Sequence, residues 1–199
     1  MLFAAHNHVR GLLGHPLWTR EEYAKAIVFS TRELYPKLYG DRALEAQDML
    51  YAFIQANHLE QLRVIEGAQE LLDAVMATGA PMGLVSNKRN DVLRREVEHL
   101  GWDKYFDIYL GAGVAEKDKP SGAPLLYALA RHSRKPPIQH VLYVGDTESD
   151  LGCAQDAGCK VAFLMHEPHR HDLVSKYAPA YAAYNLGELK DQILEYLEG

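Results

Sequence analysis

Cysteine is scarce: Cys153 and Cys159 are the only two in 199 residues. Two cysteines cannot form the disulfide framework of a small stapled fold, and their spacing suits no common zinc motif. They read as small buried residues near one helix end. Basic runs are absent, and the net charge is -6. A phosphate-backbone binder needs clustered Lys and Arg, so no nucleic-acid partner is expected. A small anionic substrate needs only local positive charge and stays open. No apolar stretch reaches the roughly 18 residues of a membrane helix, so no membrane partner is expected. A basic start and a small-residue cleavage site are also lacking, which makes a cytoplasmic protein the expectation. At 48% hydrophobic, the chain can bury the core of one domain, or of a domain with a small insert.

Two textures divide the chain. Residues 1–78 hold no convincing strand. Leu2, Phe3, Val9, Leu12 and Leu13 begin a helical pattern. Thr19-Arg20-Glu21-Glu22 is a capping-box signature that opens a second helix. Leu50/Ile54 and Met49/Phe53 lie four apart within 41–59, as on an amphipathic helix. From about residue 67, helices alternate with short apolar strands. Helices are expected over 68–78, 91–100, 120–132 and 149–157, with a closing helix carrying Leu189, Ile193, Leu194 and Leu197. Strands are expected at 82–85, 108–110, 141–144 and 161–165, with a further one at 180–184. Such alternation with continuous apolar strands predicts an α/β fold, its parallel sheet covered on both faces.

In parallel sheets ligands sit beyond the carboxyl ends of the strands. Strand 82–85 delivers Ser86, Asn87 and Lys88 there, and strand 141–144 delivers Gly145 and Asp146, with Asp150 four residues on. Lys117 and Lys119 precede Pro120, a natural first residue of a helix. A hydroxyl, a lysine and two acids on one rim suit a phosphate and a divalent cation. The hydroxyl and helix-start amides hold phosphate oxygens, the lysine offsets their charge, and carboxylates hold Mg²⁺. Each residue also has a plainer reading. Asp146 could cap a helix, Asp150 could sit in its first turn, Ser86-Asn87 could be a turn, and Lys119 could be solvated. Order and placement together favour the site. His166, His169 and His171 in HEPHRHD read as solvated loop histidines rather than a metal site. His6 and His8 do not share a helix face.

These segments together resemble the haloacid dehalogenase superfamily, nearest its phosphoglycolate phosphatase-like branch with a helical cap. LVSNK (84–88) resembles the second motif, which implies Ser86 as the phosphate-binding hydroxyl, with Asn87 also binding the phosphate. KPSGAPLLYAL (119–129) resembles the third and implies Lys119 as the phosphate-binding lysine. VLYVGDTESD (141–150) resembles the fourth and implies Asp146 as a Mg²⁺ ligand with Asp150 supporting the metal site. The resemblance implies residues 1–75 as a helical cap, incomplete at its start, and 76–199 as a Rossmann-like core.

One motif is missing. The family's Asp-x-Asp, which supplies the nucleophile and the general acid/base from the first strand, occurs nowhere in the sequence. In the family mechanism that first aspartate attacks phosphorus, and the second protonates the leaving alcohol. Its strand would lie centrally, between those carrying the second and fourth motifs. The expectation is therefore a core without its first, central strand, in a chain whose front is shortened. Its two neighbours would then pair directly, or something else would fill the slot. The function expected is a Mg²⁺-dependent phosphatase for a small phosphate ester such as phosphoglycolate, inactive in the chain as written. The alternative is a catalytically dead phosphate-ligand binder or interaction protein.

Overall fold

A computed structural model describes residues 2–165 and 171–198, apart from the side chains of Asn57 and His58. Four helices come first: α1 (Leu2–Leu12), α2 (Arg20–Ala26), α3 (Thr31–Tyr39) and α4 (Ala43–Gln61). Their apolar residues recur at helical spacing and close on one core. Ala5 and Val9 of α1 meet Leu34, Tyr35 and Tyr39 of α3, and Ala46, Leu50 and Ile54 of α4. Met49 and Phe53 pack against that core from its margin. The capping box opens α2 as the sequence predicts, with Thr19 and Glu22 bonding each other's backbone. The third helix was not among the sequence expectations.

The strand-bearing lobe begins with α5 (Ala68–Ala77) and continues β1 (Gly83–Arg89), α6 (Asn90–His99), β2 (Ile108–Ala112), α7 (Ala123–Arg131), β3 (Leu142–Gly145), α8 (Glu148–Ala157), β4 (Lys160–Leu164), α9 (His171–Tyr177), β5 (Tyr181–Ala183) and α10 (Leu186–Glu198). Val75 of α5 packs with β4 and α10. The helical lobe therefore closes with α4 instead of running to residue 75. Side chains along β4 alternate between two cores, as strand pleating requires. Val161 and Phe163 face Leu151, Cys153 and Ala154 of α8. Ala162 and Leu164 face Val75, Leu189 and Ile193. That two-sided burial is why the strand reads as an unbroken apolar run.

The expected single sheet is in fact two. β1 pairs with β2, while β3, β4 and β5 form a separate ladder, every pair parallel. β1 and β3 do not pair directly, so each ends its own sheet. The consequence is visible in their burial. No residue of β1 is fully buried, and Val144 of β3 is 42% exposed. Continuous apolar strands normally have partners on both sides, and here each of these two has one.

Candidate active site

The cleft between the two lobes encloses a cavity of about 400 Å³. Its floor is the carboxyl ends of β1 and β3. Ser86, Asn87, Lys88, Lys119, Asp146 and Asp150 all line it. Across from them, the helical lobe contributes chiefly apolar and aromatic residues, among them Tyr23, Phe29 and Ile54. Lys117 points elsewhere, to a shallow depression bounded by Phe29 and Lys37.

Backbone irregularity aims the first group. In the β1–β2 ladder Val85 faces Leu110 but Arg89 faces Ala112, so residues 86–88 bulge from the register. Bulges re-aim side chains beside functional sites. Within this one Lys88 N donates to Ser86 Oγ at 3.1 Å. That leaves the hydroxyl proton to be given to an acceptor. Asn87 spans Lys119: its Nδ2 donates to Lys119 O at 2.8 Å, and its Oδ1 accepts from Lys119 N at 2.9 Å. Its side chain thus serves the lysine backbone. Lys88 pairs with Glu96, and Arg89 stacks 3.7 Å over the ring of Tyr51 on α4 while pairing with Asp91.

Lys119 is the junction of the two sheets. Its Nζ donates to Val85 O on β1 at 3.1 Å and to Asp150 Oδ1 at 2.7 Å. An ammonium has three donors, so one remains for a ligand. The sequence reading of Pro120 as a helix start is corrected. Helix α7 begins at Ala123 with Pro124 in its first turn. Residues 120–122 instead turn over the end of α8, where Gly122 N donates to Asp156 Oδ2 at 2.6 Å. A Cβ on Gly122 would come within 2.6 Å of Ala157 N, so only glycine allows that approach.

Asp150 is buried at the start of α8. It takes Lys119 Nζ and Tyr143 Oη on one oxygen. Its other oxygen accepts from Asp146 N, Thr147 N and Thr147 Oγ1. Burial pushes its carboxyl pKa up, and Lys119 with the Thr147 donors outweighs this, leaving it below the ordinary value. The contact is close because residue 145 is glycine: a Cβ there would lie 2.2 Å from Asp150 Cβ. Thr147 and Asp150 form a capping box that fixes the helix start. Asp146 is the exposed acid of the pair and lines the cavity.

Mg²⁺ binds through one or two carboxylates and completes its shell with water and phosphate oxygens. The donor set suits that habit: Asp146 is a carboxylate lining the cavity, and Asp150 orients its turn. Among the described residues no group of three or more His, Cys, Asp or Glu could hold a metal by itself. His166 and His169 lie outside the described residues. His171 opens a helix, so that part of the segment is not loop. His6 is buried, its Nδ1 3.0 Å from Tyr35 Oη, and burial with nearby Arg10 lowers its pKa to about 4. Tyr143 and Thr147 escaped the sequence reading, although Thr147-x-x-Asp150 is a legible box. No helix among the described residues is long and apolar enough to cross a membrane.

The chain is similar to known proteins over most of its length. A family model described as haloacid dehalogenase-like hydrolase matches residues 1–164. A phosphoglycolate phosphatase of Yersinia pestis is 27% identical over 187 residues, covering 88% of this chain and 72% of the relative. Among solved structures, a haloacid dehalogenase-like hydrolase of Bacteroides fragilis superposes with a TM-score of 0.85 at 20% identity, covering 94% of this chain and 90% of the other. Protein tyrosine kinase A of Mycobacterium tuberculosis shares the fold at a TM-score of 0.74 and 20% identity, over 96% and 89% of the two chains. A shared fold therefore leaves the chemistry to the site. The family match over residues 1–164, with phosphoglycolate phosphatase relatives and an α/β architecture of parallel strands, makes this chain a member of the haloacid dehalogenase-like hydrolases, on their phosphoglycolate phosphatase-like side.

Proposed function

We propose that the cleft is the phosphate- and metal-holding part of a Mg²⁺-dependent phosphatase site for small phosphate esters, of which phosphoglycolate is one. The observation that carries this reading is the meeting of Ser86, Lys119 and Asp146 on one cavity. Ser86 Oγ and the third Lys119 donor would each give a proton to a phosphate oxygen, and charge-assisted bonds of this kind are the strong ones. Asn87 would keep Lys119 in place from the backbone. Asp150 would hold the same lysine and, through the turn, Asp146. Bound beside Asp146, Mg²⁺ would draw charge from the phosphate. Asp-x-Asp is missing from the sequence, so the residues present bind phosphate without a partner for covalent transfer.

The same absence favours a second reading, a phosphate-ligand binder without turnover. One pair of experiments separates them. Orthophosphate binding is measured by calorimetry with Mg²⁺, on the chain and on Lys119→Ala. Phosphate release from phosphoglycolate and an aryl phosphate is assayed on the 199-residue chain and on one extended by a strand ending in Asp-x-Asp-Gly-Thr. Binding lost in Lys119→Ala, with turnover in the extended chain alone, supports the phosphatase reading. Binding with no turnover in either chain supports the binder. Mg²⁺-dependent turnover by the short chain, abolished by Asp146→Asn, would mean that the nucleophile lies among residues assigned other roles here.

A further inference from the structure

Residues 30–33 read Ser-Thr-Arg-Glu, the spacing of a capping box. The helix they open does not use it. Ser30 is the N-cap of α3, is 2% exposed, and makes no side-chain cap bond. Its hydroxyl instead donates to Asp118 Oδ2 at 2.5 Å. Glu33, which in a capping box would reach back to residue 30, accepts from Asp118 N at 3.1 Å. Arg32 completes the hold on both oxygens, Nε on Oδ2 at 3.1 Å and Nη2 on Oδ1 at 3.0 Å. Gly113 N donates to Oδ1 at 2.9 Å from the sheet lobe. Thus both members of the box, and the arginine between them, serve a residue more than eighty positions away on the other lobe.

Asp118 is itself 3% exposed and directly precedes Lys119. Its carboxylate is held by α3, its neighbour's backbone by Asn87, and its neighbour's ammonium by Val85 and Asp150. We infer that Asp118 is a positioning residue through which the helical lobe sets Lys119: with α3 clasped on Asp118 the lysine is fixed in the cleft, and with the clasp broken it is released. The inference rests on the phosphate-site reading only for its effect on ligand affinity. A ligand held by Lys119 would then strengthen the clasp by the same factor as the clasp strengthens the ligand, because such coupling is reciprocal. A side-chain cap on α3 is what the sequence gives up for this connection.

The test reads Lys119 directly. An amine-acylating reagent followed by peptide mass spectrometry gives the labelling rate at Lys119, and thiol alkylation at buried Cys153 reports general opening of the sheet lobe. Arg32→Ala leaves residues 118 and 119 unchanged. It is expected to raise Lys119 labelling about tenfold, the size of losing one charge-assisted contact, with Cys153 unchanged. Arg32→Lys, which keeps the charge, should recover part of the protection. Orthophosphate affinity should fall by a similar factor in Arg32→Ala. Unchanged Lys119 labelling, or a rise shared equally by Cys153, would overturn the inference. If the native chain binds no orthophosphate, the phosphate-site reading falls, while the labelling result still decides the coupling.

Discussion

The helical lobe and the strand-bearing lobe are built to different degrees of closure. The first is held by one apolar core, in which Ala5, Val9, Tyr35 and Ala46 are wholly buried. The second has two well-filled cores on the faces of β4, and beside them an edge where β1 and β3 each stop without pairing the other. At that edge Lys119 joins Val85 O and Asp150, and Val85 and Met82 also pack against the two cores. The closed lobe can lose a surface contact and keep its shape, whereas at the open edge a buried ion pair adds to the packing of Val85 and Met82.

The largest effect should come from that edge. Lys119→Met leaves Asp150 buried with its main counter-charge gone and should lower stability by about 4 kcal/mol. Lys119→Met with Asp150→Asn should lose less than Lys119→Met alone, because the orphaned charge is removed too. Urea unfolding of the two variants checks this, and equal losses would mean that the pair contributes little to joining the sheets.

Acid should separate the lobes. His6 has its pKa lowered from 6.5 to about 4 by burial and Arg10, so the unfolded chain takes up a proton where the folded one does not. Its contribution is complete above pH 6.5 and is lost as pH falls towards 4, a change of about 3 kcal/mol. Asp150 has its pKa lowered from 3.8. Its contribution is complete above that value and declines only as pH falls through the lower folded one. Trp18 lies in the helical lobe near His6, with ring centroids 6.0 Å apart, and Trp102 lies in the sheet lobe bonded to Gln69. Fluorescence of single-tryptophan variants should therefore show Trp18 responding between pH 6.5 and 4 before Trp102 does, with His6→Asn removing the difference. Coincident transitions in the native background, or a difference that persists in His6→Asn, would refute it.

The smallest pair sharpens the contrast inside the strand lobe. Val161 is 7% exposed in β4 and Val144 is 42% exposed in β3. Val161→Ala should cost about 2 kcal/mol by thermal or urea unfolding. Val144→Ala should stay within about 0.5 kcal/mol, as at a surface position. Equal costs would show that the open edge is packed after all.

Much of this was legible in the residues. The spacing of Leu50/Ile54 and Met49/Phe53 marks α4, and Thr19-x-x-Glu22 marks the start of α2, because both signals act within a few residues of chain. The unbroken apolar run at 161–164 shows a strand covered on both sides. Gly145, Asp146 and Asp150 mark a strand end turning into a helix. Two helices were missed although their signals were present: α3 behind Ser30 and Glu33, and α9, whose Leu173, Val174 and Tyr177 pack on the Cys153 core.

The sequence by itself determined most of the elements and their order in two lobes, since helix caps, strand periods and motif spacing are local properties. Only the tertiary structure decided three things. It put β1 and β3 in separate sheets, because pairing depends on which strands lie side by side. It put the Asn87 amide on the backbone of Lys119, because a side-chain amide goes to whichever backbone comes within reach. And it diverted the Ser30–Glu33 box from its own helix to Asp118, because a buried carboxylate with an arginine beside it competes better for those groups than a helix end that can be satisfied in other ways.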